Sequence, residues 1–287
     1  MDAEALRTTL LEWYRPRRHA YAWRRGRRDP YRVLVSEVML QQTQAARVEP
    51  IFEAFLARFP DVGALAGGSR ADVLRAWEGL GYNRRAVALR DAARTIVGEH
   101  RGRVPRDPQV LRRLPGIGPY TAAAIAAIGH GRPIVAIETN IRRVCARVFR
   151  GREPDELPAA TIAADAAGWL DGVAPGTWHQ AVMDLGRLVC RPVPRCATCP
   201  LAAGCRFRAT GRTGRSSTRP QGRFEGSTRQ VRGAVVGALR RRRSLDPAGL
   251  IAATGHAPDR VTAAIDRLVT EGLLERTRAG RLRLSRR

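Results

Sequence analysis

The chain has 287 residues, with 51 arginines, no lysine and 26 acidic residues, for a formal net charge of +25 at pH 7. That length suffices for one large domain or two smaller ones. Abundant Ala and Gly point to a compositional bias that favours Arg over Lys, but bias does not explain nearly two bases per acid, a ratio that calls for a polyanionic partner gripped by guanidinium forks.

Apolar residues at helical spacing (Leu6, Leu10, Trp13, Tyr14) predict a helix over 3–14, followed by a basic, aromatic stretch, 15–28, with Tyr21 and Trp23. Asp29-Pro30 caps a helix to about residue 46, and Pro50 sits in the first turn of the next, 49–59. Ser69-x-x-Asp72 reads as a capping box opening a helix to about Leu80, with another over 83–99 and a short one over 107–113. The stretch LPGIGPYTAAAIAAIG, 114–129, is a tight turn into an alanine-rich helix. Gly116 and Gly118 permit positive φ and close backbone approach, and Pro119 suits a first helical position. Such a helix–hairpin–helix aims backbone N–H groups and a positive dipole end at an anion, here a DNA phosphate. The bland alternative is an ordinary tight connection. Further helices are expected over 137–149, 158–170 and 177–190, and no strand before about residue 273, so the body is expected to be all-α.

Residues 206–230, rich in Arg, Gly, Ser and Thr, read as a basic, poorly ordered linker. Three helices, 231–240, 246–253 and 258–271, precede an alternating segment, 273–284, that turns at Ala279-Gly280. This order fits a winged helix-turn-helix, or else a helical accessory domain that touches no nucleic acid. No stretch is long and apolar enough to span a membrane, and the N-terminal segment lacks a signal peptide's apolar core. A cytoplasmic, nucleoid-associated monomer with no membrane partner is the expectation.

Three features carry chemistry. Cys190, Cys196, Cys199 and Cys205 are spaced C-x5-C-x2-C-x5-C. Without an export signal this favours metal over disulfides, a [4Fe–4S] cluster first and zinc as the alternative. Arg191, Arg195, Arg206 and Arg208 surround that loop with positive charge, while Cys145 stands alone as a packing residue. Glu37 lies mid-helix between Val33, Leu34, Leu40 and Gln41, a setting that disfavours its charged form if it faces a closed pocket and suits a general acid. Glu138 stands at a helix start, where the dipole favours the ionised form, suited to steady a developing cation. Taken singly, each glutamate could be an ordinary helix residue or cap.

The hairpin, the ETNIRRVCAR segment and the four cysteines together resemble the iron–sulfur helix–hairpin–helix DNA glycosylases. SEVMLQQTQ, GLGY, LPGIGPYTAAAI and MDLGRLVC resemble, more narrowly, the A/G-mismatch adenine glycosylases of the MutY family, over roughly residues 20–206. The resemblance implies a two-lobed, all-α helix–hairpin–helix glycosylase fold with an iron–sulfur loop, followed here by the small winged-helix-like domain. The lobes would be about 29–134 and 1–28 plus 135–206, with a linker 207–230 and a last domain 231–287. It implies removal of adenine opposite 8-oxoguanine or guanine from mismatched or damaged double-stranded DNA. Glu37 would protonate the flipped base, Glu138 would stabilise the sugar cation, and Asn140 would stand beside it. Tyr120 would lie near the sugar, where bifunctional relatives have a lysine, so this chain would be monofunctional. Gln41, Gln42 and Tyr82 would wedge into the duplex; Trp23 and Arg24 would line the base pocket; Gly116, Gly118 and Thr121 would contact DNA.

The chain departs from that pattern at Glu138, where the family has aspartate, at Asn83, where it has a second tyrosine, and in a first cysteine gap one residue short. One methylene moves a carboxylate by about 1.5 Å, and a misplacement of that size can cost about 100-fold in rate. No family-like C-terminal β-domain is visible. Two rivals follow: excision of a different base (mismatched thymine or uracil, or a modified base), and a non-catalytic iron–sulfur DNA-binding regulator.

Overall fold

A computed structural model describes residues 2–18, 21–26, 28–215 and 222–286. Side-chain oxygens start many of its helices by accepting an otherwise unpaired N–H of the first turn. Asp2 caps α1 (Ala3–Tyr14), Asp61 caps α4 (Val62–Gly67), and Ser69 caps α5 (Arg70–Ala76). Asp107 caps α7 (Pro108–Leu111), and Glu138 caps α9 (Thr139–Cys145). Between these lie α2 (Pro30–Leu40), α3 (Ala45–Arg58), α6 (Arg84–His100) and α8 (Pro119–Ala124), the last continuing through Gly129. α10 (Ala159–Trp169), α11 (Pro175–Leu188) and α12 (Arg206–Ala209) follow. Ser227 caps α13 (Thr228–Arg241) and Asp246 caps α14 (Pro247–Thr254); then come α15 (Pro258–Thr270) and the strands β1 (Leu274–Arg276) and β2 (Leu282–Leu284). The strands pair antiparallel, Leu274 opposite Leu284, around Gly280 at φ 71°.

Several boundaries differ from the sequence reading. α2 stops at Leu40, about six residues early, and the chain turns at Gln42 (φ 56°) before α3 begins. The Arg85 guanidinium makes this stop stable, donating to the carbonyls of Val38 at 3.0 Å and Met39 at 3.1 Å and to that of Gln41, the carbonyls an α-helix leaves unpaired at its end. Because α3 starts early, Pro50 falls inside it. α4 has no counterpart in the sequence reading, being only six residues long.

The expected linker, 207–230, lies partly on residues outside those described, 216–221. Its start is helical: Phe207 is buried, with the guanidinium groups of Arg147 and Arg212 4.8 and 5.6 Å from its ring centroid. Its end supplies the cap and first turn of α13.

The chain divides into two compact units, with the boundary inside α2: Met1–Glu37, Val104–Arg113 and Ile117–Arg219 in the first, and Val38–Arg103, Leu114–Gly116 and Pro220–Arg287 in the second. In the first, Leu6, Leu10 and Tyr14 of α1 join a core with Ile141 and Val144 of α9, Trp169 of α10 and Trp178, Val182 and Leu185 of α11. The Trp169 and Trp178 rings meet edge to face, centroids 5.6 Å apart. Burying each large apolar side chain contributes roughly 1.5–3 kcal/mol. Two glycines bring the α8 segment into this unit: a Cβ on Gly129 would lie 3.0 Å from Pro30 Cα, and one on Gly176 3.0 Å from Ile128 Cα. In the second unit Phe55 packs edge-on against Trp77, and α13 packs on α15 and β2, which also touches α5.

Candidate active site

The first unit gathers five of the expected site residues: Glu37, Tyr120, Glu138, Asn140 and Arg24. Glu37 is carried by α2, is 6 % exposed, and shares a hydrogen bond with the hydroxyl of Tyr120, in the first turn of α8. That hydroxyl also reaches Met183 Sδ at 3.7 Å. Burial is the main force on the Glu37 carboxyl; together with the charge of Glu138 it outweighs the Tyr120 bond and the field of Arg24, and the pKa is pushed up to about 7.

Glu138 has a different setting. As the N-cap of α9, its Oε1 accepts the Ile141 N–H at 2.8 Å and its Oε2 the Asn140 side-chain amide at 3.0 Å. The helix-end donors expected from the sequence are there, yet burial outweighs them and the Glu138 carboxyl also stands above the usual carboxylate range. The prediction that a helix N-terminus alone would keep it ionised is therefore corrected. Two neighbouring buried carboxyls titrate as a pair. The backbone and amide donors, with Arg143 nearby, favour the charged form of Glu138, whereas burial and the Glu138 charge disfavour that of Glu37.

Asn140 is itself held. Its Oδ1 accepts from Arg143 at 2.6 Å, and Arg143 also donates to the carbonyls of Gly186 at 2.8 Å and Cys190 at 2.7 Å. Gly186 makes room: a Cβ there would lie 2.5 Å from Asn140 Cβ. His179, fully buried, accepts the Ala136 N–H at Nε2, 2.8 Å, which assigns the ring proton to Nδ1, donating to the Pro175 carbonyl at 2.6 Å. Burial lowers its pKa to about 4, so the ring is neutral and fixes the backbone two residues before Glu138. The sequence reading missed Arg143 and His179, because each also binds backbone distant in sequence, Gly186 and Cys190 for Arg143 and Ala136 for His179.

Arg24 makes a bidentate pair with Asp184 of α11, at 2.6 and 3.1 Å, with both side chains nearly inaccessible, and donates to the Tyr14 hydroxyl at 3.3 Å. Trp23 stacks on Tyr21, ring centroids 4.7 Å apart. Trp23 and Arg24 line a cavity of about 320 Å³ with Tyr14, Val33, Thr177 and Gln180. Its volume lies at the small end of the range for small-molecule sites, ~300–1,000 Å³. Glu37 lies one helical turn beyond Val33.

In the hairpin, Gly116 has φ 75°, and a Cβ there would come within 2.8 Å of Ala88 Cβ. Gly118 does not need the positive φ that the sequence allowed; it is extended, φ −84°, as N-cap of α8. Thr121, expected at the DNA surface, is only 3 % exposed and points inward. The expected wedge residues Gln41, Gln42 and Tyr82 lie in the second unit. Gln42 (φ 56°) and Tyr82 (φ 45°) are, with Arg101, the non-glycine residues of positive φ among those described. Such backbones cost of order 1–3 kcal/mol each and collect at functional sites. Tyr82 is partly exposed beneath the Arg85 guanidinium, and Gln41 Nε2 donates to the Gly116 carbonyl at 3.4 Å.

The four late cysteines line one small apolar void of about 20 Å³, with Leu185, Pro194 and Phe207 around them. Arg147, ion-paired with Glu153 at 2.7 Å, directs a second nitrogen to Cys190 Sγ at 3.7 Å. Four thiols converging on an apolar void beside a cation suit thiolate ligation. Among the described residues no three side chains are close enough to ligate a single metal ion.

Residues 35–164 match the model of the HhH-GPD superfamily base excision DNA repair proteins. The adenine DNA glycosylase of Mycolicibacterium smegmatis is 40 % identical over 96 % of this chain and 94 % of its own length. That of Mycobacterium tuberculosis H37Rv is 38 % identical over 96 % and 92 %. The human adenine DNA glycosylase is 38 % identical over 72 % of this chain but only 40 % of its own length. Among solved structures, a thermostable thymine-DNA glycosylase superposes with a TM-score of 0.66 at 26 % identity, over 72 % of this chain and 97 % of that one. Endonuclease III, in a trapped covalent complex with DNA, shares the fold at a TM-score of 0.59 and 20 % identity, over 74 % and 99 %. With relatives matched over nearly their whole length, the chain belongs to the adenine DNA glycosylase family within the HhH-GPD superfamily of base excision DNA repair proteins.

Proposed function

We propose that this protein is a monofunctional glycosylase that removes adenine mispaired with 8-oxoguanine or guanine in double-stranded DNA, hydrolysing the N-glycosidic bond. The observation that carries the reading is the pair of unlike carboxyls: Glu37, pushed up to about 7, beside a Glu138 fixed by N–H donors. A group half protonated near neutral pH is suited to general acid work. Glu37 donates its proton to a ring nitrogen of the base. The glycosidic electron pair leaves with the base, the sugar carries the positive charge, and the Glu138 carboxylate faces it. Water adds to the cation and its proton returns to the carboxyl pair. Tyr120 offers no amine, and the chain has no lysine, so no Schiff base forms with the sugar.

The extra methylene of Glu138 relative to aspartate is taken up by folding the side chain back to cap α9, where Ile141 and Asn140 fix both oxygens. Trp23 and Arg24 shape the base pocket, while Gln41, Gln42 and Tyr82 enter the duplex. Cys190, Cys196, Cys199 and Cys205 would hold a [4Fe–4S] cluster, which would brace the loop carrying the Cys190 carbonyl that Arg143 uses. Iron and sulfide analysis of the purified protein tests that ligand set against zinc.

The test of the reaction is single-turnover excision on duplexes carrying adenine opposite 8-oxoguanine. Glu37→Gln is expected to lower the rate by about 10²–10⁴ while duplex binding persists. A variant as fast as the parent protein refutes the proton-donor role.

A further inference from the structure

A second arginine-rich feature lies wholly within the second unit. The last turn of α13 and the residues after it form the run Arg240–Arg243. Together with Arg75 of α5 and Arg283 and Arg286 of the C-terminal hairpin, they line a groove of about 420 Å³ that no acidic residue lines. Two of the lining arginines are paired outside the groove, Arg75 with Asp72 at 3.6 Å and Arg283 with Glu275 at 2.7 Å. Here the guanidinium groups of Arg241, Arg242 and Arg243 make no ion pair with any described residue. Crowding like charges around a groove opposes folding, and an anion seated among them relieves it. Favourable contact with the negative C-terminal end of α13 accounts for charge in its last turn only, and Arg283 pairs across the hairpin with Glu275; neither accounts for Arg286 converging on the same groove.

The groove is also fixed in place. Arg240 is tied down within it, donating to the Leu74 carbonyl at 2.9 Å and to Asn83 Oδ1 at 2.8 Å. Asn83, the residue that departs from the family pattern, is thus the anchor of α13. At the other end of the helix Arg229 reaches the Tyr82 hydroxyl at 3.5 Å. Both ends of the helix thus reach the adjacent residues Tyr82 and Asn83, so the groove lies beside the wedge tyrosine.

We propose that this groove binds the DNA phosphodiester backbone on the flank of the position where Tyr82 enters the duplex, making the C-terminal elements part of the DNA-binding surface. The proposal rests on the protein's reading as a DNA-binding enzyme but not on the identity of the excised base. Its test therefore uses an undamaged duplex as well as a mispaired one.

The triple variant Arg241→Gln/Arg242→Gln/Arg243→Gln keeps Arg240 and its anchor. On an undamaged duplex extending ~10 base pairs to either side of the wedge position, its Kd is expected to rise on the order of tenfold near physiological salt. The slope of log K against log salt is expected to become shallower by about 2, close to one unit per lost phosphate contact. On a duplex too short to reach the groove, parent and variant should bind alike. Excision of mispaired adenine at saturating enzyme should be unchanged, which separates this outcome from failure of the catalytic reading. A thermal melt reports folding, and the single variant Arg243→Gln serves if the triple variant is unstable. Unchanged affinity and salt slope on the long duplex would overturn the proposal, as would an equal loss on long and short duplexes.

Discussion

Arginine does opposite work in two parts of this molecule. In the first unit three buried guanidinium groups hold acceptors: Arg24 on Asp184, Arg143 on Asn140 and two backbone carbonyls, Arg147 on Glu153. No acid lines the α13 groove, and its Arg241, Arg242 and Arg243 make no ion pair with any described residue. The contrast shows that the net charge of +25 is not a uniform coat. Where acceptors are supplied, arginine is scaffold and sets the field felt by Glu37; where they are withheld, it becomes a site for an external polyanion.

The sharpest way to break this contrast is at the buried pair. Removing one partner of a buried ion pair leaves an uncompensated charge, so Arg24→Ala or Asp184→Ala is expected to cost about 3–5 kcal/mol of stability in urea unfolding. Losses under 1 kcal/mol would mean that Arg24 is no more structural than the groove arginines.

A smaller effect is expected from pH. Glu37 has a folded-state pKa raised to about 7 from an ordinary value of 4.5, so the folded state binds the extra proton between those values. Its contribution is therefore fully present below about pH 4.5 and is lost as pH rises towards and through 7. The single-turnover rate should also fall about tenfold per pH unit above 7 as the donor deprotonates. Glu37→Gln should remove that stability dependence; a stability curve identical in parent and variant would count against it.

The smallest expected effect is at Glu138. Because N–H donors rather than length hold the carboxylate, Glu138→Asp should retain at least the parent rate. Complete loss would mean that the pocket is built for glutamate.

Much of this was legible in the chain because it depends on local chemistry. Ser69 caps the helix expected of it, and the hairpin glycine Gly116 adopts its positive φ. What escaped depends on partners far away in sequence. α2 ends early because Arg85 meets its carbonyls, and Phe207 is a lone apolar residue among arginines that only the folded chain buries. The Glu138 pKa escaped for a related reason: the sequence displays the helix end, whereas the burial that overrides it comes from the packed unit. Asn83 looked like a gap in a motif until Arg240 was seen bound to it.

The central claim is that Glu37 stays protonated near neutral pH beside a charge-holding Glu138. Carbon-13 NMR titration of glutamate carboxyls, with Glu37→Gln used for assignment, measures this directly. The account predicts a resonance with a midpoint near 7 that is missing from the variant. Titration of every glutamate near 4.5 would contradict it.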